Sequence, residues 1–159
     1  MTLELKPADI ILVRGNTFIG DVIEDVTGSA YSHVAGFYDG WQIIEAELFS
    51  RVRAADIQPY KERCDIMRCE SLEYDQRWKI VAFAFSKLGA RYSYSLVVWE
   101  AVKHLLNIAL PINVKNTYIC STLWRDAYKS VGIDLTPGIK YPTPGDIARS
   151  KLLRKVGTY

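Results

Sequence analysis

The feature that most narrows what this chain can become is a hairpin signal across residues 33–47. His33-Val34-Ala35-Gly36-Phe37-Tyr38 reads as a strand, Asp39-Gly40 as a tight turn, and Trp41 to Glu47 as the returning strand. An antiparallel pair needs further strands to be stable, and the flanking sequence offers them. Ile10 to Val13 is a short apolar run with β-branched residues, ended by Arg14-Gly15-Asn16, and reads as a buried strand. Cys64 to Cys69 reads as another, after the break at Gln58-Pro59-Tyr60. Between the first strand and the hairpin, Phe18, Val22, Ile23 and Val26 recur at helical spacing, so Thr17 to Thr27 is expected to be a helix closed by Gly28-Ser29.

Beyond residue 74 the periodicity turns helical. Asp75 to Leu88 sets Trp78, Val81, Ala82, Phe85 and Leu88 on one stripe and closes at Gly89. Tyr94 to Ala109 is a second and more apolar helix, ending near Pro111. A third starts at Cys120, buries Leu123, Trp124, Ala127, Tyr128 and Val131, and stops at Gly132. Pro137, Pro142 and Pro144 mark an irregular segment, and Pro144 to Leu153 reads as a short terminal helix. Strands early and helices late predict an α+β fold, residues 1–159 forming a single domain with helices packed on a small antiparallel sheet or half-barrel.

Charge and cysteine usage limit the partners. A net charge of +2, with both signs interspersed, leaves no electrostatic footprint for nucleic acid. Lys151, Arg154 and Lys155 read as a solvated helix face. Three cysteines cannot complete an intramolecular disulfide framework, so a reducing compartment or free thiols are expected. Met1 to Asp9 carries no apolar run of signal-peptide length, which makes a cytoplasmic location the default, with the periplasm or delivery outside the cell as alternatives. The apolar stretch Leu96 to Leu110 is interrupted by Glu100, Lys103, His104 and Asn107, so it suits contact with a membrane surface or a pocket cover rather than a span.

Two residues stand where nucleophilic catalysis requires them. Cys120, in Tyr118-Ile119-Cys120-Ser121-Thr122-Leu123-Trp124, falls where extended chain becomes helix. Unpaired N–H groups and the positive end of the dipole there favour a thiolate. His33 lies on a strand, a rigid support for the base that takes the thiol proton. The competing reading makes Cys120 an inert core thiol on its helix's apolar stripe and His33 a satisfied strand histidine. Cys64 and Cys69, five apart and before no helix start, read as packing residues on opposite faces, and His104 as structural. Without a Cys-x-x-Cys pair, and with two histidines in all, a structural zinc site is not expected.

A cysteine–histidine pair needs a third polar group to hold the imidazole in the useful tautomer. Glu45 and Glu47, on the returning strand, are the candidates, and hairpin register separates them. A two-residue Asp39-Gly40 turn pairs Tyr38 with Trp41, sets Glu45 opposite Val34 and turns it away from the His33 face. A three-residue loop that includes Trp41 pairs Tyr38 with Gln42, placing Glu47 opposite His33 and Glu45 diagonal to it on the same face. Both registers are open at the level of sequence.

These segments resemble a known family. His33-Val34-Ala35-Gly36-Phe37-Tyr38-Asp39-Gly40, followed by Ile43-Ile44-Glu45-Ala46, is similar to the strand pair of NlpC-type cysteine peptidases, in which a catalytic histidine in H-V-G-I-Y-x-G precedes by twelve residues a polar orienting residue before alanine. Ala8-Asp9-Ile10-Ile11-Leu12 resembles the family's G-D-[IL]-[IVL]-x strand, with alanine in place of glycine. Here the cysteine follows the histidine, an order similar to the circularly permuted YiiX/YaeF-like papain-fold amidases, which tend to use glutamate in third place. Leu88-Gly89-Ala90-Arg91-Tyr92, Cys120-Ser121-Thr122-Leu123 and Thr143-Pro144-Gly145-Asp146-Ile147 extend the likeness through nearly the whole chain. The permuted fold also resembles lecithin retinol acyltransferase, whose third-place histidine and Asn-Cys-Glu-His-Phe-like motif this chain lacks.

The resemblance implies a cysteine hydrolase with Cys120 as nucleophile, His33 as base and Glu45 as orienting residue, needing no metal and no cofactor. The substrate would be a peptide or an aminoacyl or lipid amide. The Cys120 backbone N–H is one candidate oxyanion donor, and Tyr92 or Tyr94 a candidate hydroxyl beside the site. A membrane-associated thiol acyltransferase or lipase, and a non-catalytic binding module, are the alternatives.

Overall fold

The computed structural model describes residues 3–15, 28–47, 50–92 and 117–159. The expected helices at Thr17–Thr27 and Tyr94–Ala109, together with Tyr94 and His104, lie outside the described residues. In chain order the strands are β1 (Ile10–Arg14), β2 (Tyr31–Asp39), β3 (Gln42–Ala46), β4 (Val52–Asp56), β5 (Cys64–Arg68), β6 (Arg91–Tyr92), β7 (Thr117–Tyr118) and β8 (Arg154–Thr158). The α-helices are α1 (Tyr74–Phe85), α2 (Cys120–Lys129) and α3 (Pro144–Ala148), and Gln58–Tyr60 forms a 3₁₀ turn.

Six strands make one antiparallel sheet in the order β4-β3-β2-β1-β5-β8, and β6 and β7 form a short parallel pair. The fold is α+β. Both sheet faces are buried, which is why Ile10-Ile11-Leu12-Val13 reads as an unbroken apolar run. Ile10, Leu12, Val34 and Ile44 face the helices and meet Leu123, Trp124, Ala127 and Tyr128 of α2 and Ile80, Val81 and Ala84 of α1. Ile11, Val13, Ala35, Phe37, Ile43 and Ile66 face the other way and are covered by Ile57, Leu3, Leu5, Tyr60, Val156 and Tyr159.

The hairpin combines features of both expected registers. Asp39 pairs with Gln42, so the loop is the two residues Gly40 and Trp41, with Gly40 at φ +57°. A bulge between Phe37 and Asp39 then shifts the ladder, and Phe37 pairs with Ile43, Gly36 with Ile44 and Ala35 with Glu45. The loop is thus shifted one residue past the expected Asp39-Gly40 turn, and beyond the bulge the ladder takes the register expected of a three-residue loop, with Glu45 on the face of His33.

Three sequence expectations need correction. The stripe on α1 is rotated: Arg77, Ile80, Val81 and Ala84 are buried, whereas Trp78 is 38% and Phe85 39% exposed. Arg77 turns inward because its guanidinium donates to the carbonyls of Pro7 and Cys69 and pairs with buried Asp9. The terminal helix stops at Ala148, and Arg154–Thr158 instead forms β8 against β5. Arg154 and Lys155 therefore lie on a strand rather than a helix face, paired with Glu70 and Asp65 respectively.

Candidate active site

Three elements converge at the β2–β3 end of the sheet. On β2, Phe37 N–H donates to Asp9 O toward β1, so the alternating N–H of Val34 points toward β3. Pairing between β2 and β3 stops at Ala35 and Glu45, leaving that N–H outside the ladder. The N-terminus of α2 occupies the gap, and the Val34 N–H donates to the sulfur of Cys120.

Two packing contacts seat α2 there. The Trp124 ring lies on Gly36 so closely that a Cβ at that position would meet the ring at 2.0 Å. Trp124 Nε1 also donates to Ile44 O at 3.1 Å. Ile119, the residue before the helix, has no side-chain oxygen to cap it, so the first-turn N–H groups stay available to the sulfur. The Ser121 N–H is one of them and donates to the Cys120 sulfur.

Cys120 is 6% exposed and shares a hydrogen bond with the imidazole of His33. On the ring's other side, His33 Nε2 lies 2.9 Å from Glu45 Oε2. An ionised carboxylate can only accept, so Nε2 carries a proton and Nδ1 is left for the thiol. Glu45 is 1% exposed and fully engaged. Tyr60 O–H donates to Oε2 at 2.8 Å, and Arg53 Nε and Nη2 donate to Oε1 at 3.2 and 2.9 Å.

Charge states follow from these contacts. Burial alone would lower the pKa of His33, but the thiolate and carboxylate on either side outweigh it and raise it to about 10. Burial would raise that of Glu45, but His33, Tyr60 and Arg53 bring it down to about 2. For Cys120 burial also opposes ionisation, yet the imidazole and two backbone N–H groups hold the thiol below its ordinary value. Cys64 is the contrast: burial pushes its thiol up to about 11.

The structure thus brings Cys120, His33 and Glu45 into one hydrogen-bonded series. Glu47 lies beyond the end of the β2–β3 ladder and pairs with Arg53 instead. Tyr92 pairs with Tyr118, two residues before Cys120, and packs against the helix-side core. Tyr60 and Arg53 escaped sequence reading: the first stood in an apparent chain break, and the second on a strand with little apolar signal. A cleft of about 560 Å³ opens beside His33, with Arg14, Arg53, Tyr60 and Arg63 in its wall.

Fold and site together define an α+β protein in which a thiol, an imidazole and a carboxylate meet where a helix N-terminus abuts an antiparallel sheet. Its architecture is similar to a solved structure from Escherichia coli O157:H7, described as the metalloprotein YiiX, DUF1105. The two share 18% sequence identity over 99% of each chain, with a TM-score of 0.61, so the likeness is one of fold. No family model matches the chain, and no curated protein does. No helix among the described residues is long and apolar enough to cross a membrane.

Proposed function

We propose that this chain is a cysteine hydrolase of the circularly permuted, NlpC-type papain-like class that cleaves an amide bond through Cys120, His33 and Glu45. The observation that carries this reading is the series of hydrogen bonds from sulfur through imidazole to a buried carboxylate at a helix start, where the imidazole first and then the N–H groups of Val34 and Ser121 lower the thiol pKa.

In the resting state the proton sits on His33 and the sulfur is a thiolate, because His33 is the stronger base of the two. The thiolate attacks the carbonyl carbon, and the carbonyl electron pair moves to oxygen. The backbone N–H of Cys120 is suited to meet that oxyanion. Collapse of the tetrahedral intermediate breaks the C–N bond, and the leaving nitrogen takes the proton from His33. Water, deprotonated by His33, then cleaves the thioester. Glu45 keeps its charge throughout and holds the ring in one tautomer.

YiiX is described as a metalloprotein, but the described residues of this chain do not fit that role. Among the described residues no group of three or more His, Cys, Asp or Glu side chains is placed to hold an ion. His33 commits Nε2 to Glu45, so the donors stand in series rather than around a common centre.

The test is alkylation of the native protein by iodoacetamide across pH. Cys120 is expected to react first, with a midpoint well below an ordinary thiol, while Cys64 and Cys69 stay protected in the core. Equal labelling of the three, or a midpoint near 9 for Cys120, would defeat the proposal. Replacing Cys120 by alanine should abolish hydrolysis of amide substrates with the fold intact.

A further inference from the structure

We propose that Tyr60 is a positioning residue whose hydroxyl fixes the Glu45 carboxylate in the orientation that holds His33, an inference that rests on the Cys120–His33–Glu45 reading above. Tyr60 reaches the site twice. Its O–H donates to Glu45 Oε2 at 2.8 Å, the same oxygen that faces His33 Nε2 at 2.9 Å. Its ring lies 5.8 Å from the imidazole, with the planes at 41°.

A glutamate side chain turns about three bonds, so a carboxylate that must hold an imidazole needs clamps of its own. Arg53 supplies one through Oε1, but its side chain is 46% exposed and shared with Glu47. Tyr60 is the stiffer clamp. It has two rotatable side-chain bonds and belongs to a 3₁₀ turn whose φ is fixed at Pro59. The turn is tied down by Tyr60 N–H to Ile57 O at 2.9 Å, Ile57 N–H to Trp41 O at 2.9 Å, and the fully buried Ile57 side chain. Burial and the carboxylates of Glu45 and Glu47 push the phenol pKa well above its ordinary value, so the hydroxyl remains a donor wherever the site works.

The experiment compares the pH midpoint of Cys120 alkylation in the wild type, Tyr60→Phe, Glu45→Gln and the double variant. Phenylalanine keeps the ring against His33 and removes the hydroxyl alone. The single change should raise the midpoint by about half a pH unit, the scale of one net hydrogen bond transmitted through the carboxylate. Glu45→Gln should raise it further, and Tyr60→Phe should then add nothing, because its effect passes through Glu45. An unmoved or lowered midpoint in Tyr60→Phe, or an equal shift with and without Glu45, overturns the inference. A wild-type midpoint of an ordinary thiol is a different failure. It defeats the triad reading and this one with it.

Discussion

Glu45 holds a negative charge in the interior, and four hydrogen bonds from three side chains make that tolerable. The arrangement has a signature in stability. The folded pKa of Glu45, about 2, lies below its ordinary 4.5, so its contribution is complete above pH 4.5 and is lost as pH falls through about 2. His33 runs the other way: raised from 6.5 to about 10, it contributes fully below 6.5 and loses that contribution as pH rises through about 10. The melting temperatures of wild type and Glu45→Gln should therefore differ most between pH 4.5 and 6.5, converge as pH falls through about 2, and narrow as the His33 part is lost toward pH 10. A difference that does not vary with pH would mean the pair is not charged. Cys120 and His33 were legible in sequence because a helix start and a strand are local features. The choice of Glu45 over Glu47 rested on the family resemblance alone, since the register shift at Tyr38 does not separate the two; the end of the ladder at Ala35 and Glu45 and the pairing of Glu47 with Arg53 do.

At the scale of elements, the decisive contact is between β2 and α2. Gly36 is needed because the Trp124 ring takes the space a side chain would fill. Gly36→Ala should force the helix away from the strand, costing ~3 kcal/mol or more in urea denaturation, because a buried ring at full packing cannot yield. Alkylation of Cys120 should lose its low midpoint in the same variant, since the sulfur moves with the helix. Normal stability and an unchanged midpoint would show that the ring does not sit there. Elements with strong periodicity, such as β1, the hairpin and α2, could be read from sequence. β4 and β8 could not: Val52-Arg53-Ala54-Ala55-Asp56 and Arg154-Lys155-Val156-Gly157-Thr158 carry little β-branched or apolar signal and become strands by pairing with β3 and β5. On α1 a buried arginine displaced the aromatic residues from the core, which no count of apolar spacing anticipates.

The whole molecule is joined by charges inside it as well as by its core. Asp9, fully buried before β1, receives two hydrogen bonds from Arg68 at the end of β5, at 2.9 and 2.6 Å, and lies 3.5 Å from Arg77 of α1. The preceding residue, Ala8, sits at φ +66°, where glycine would be unstrained, and its carbonyl accepts from Tyr128 of α2 at 2.6 Å. The sheet, α1 and α2 thus meet at two consecutive residues, on the opposite side of Gly36 from His33 along the ladder between β1 and β2. Asp9→Ala would leave two guanidinium groups buried without their counter-charge. A broken buried pair costs about 3–5 kcal/mol, whereas replacing a whole pair by apolar groups is often neutral. Asp9→Ala should accordingly destabilise by about that amount in chemical denaturation, and adding Arg68→Met should recover part of the loss, because one stranded cation is removed. A strictly additive double variant would mean that Asp9 and Arg68 act independently. The network would then be a by-product of packing rather than the joint that holds strand and helices in register for the site.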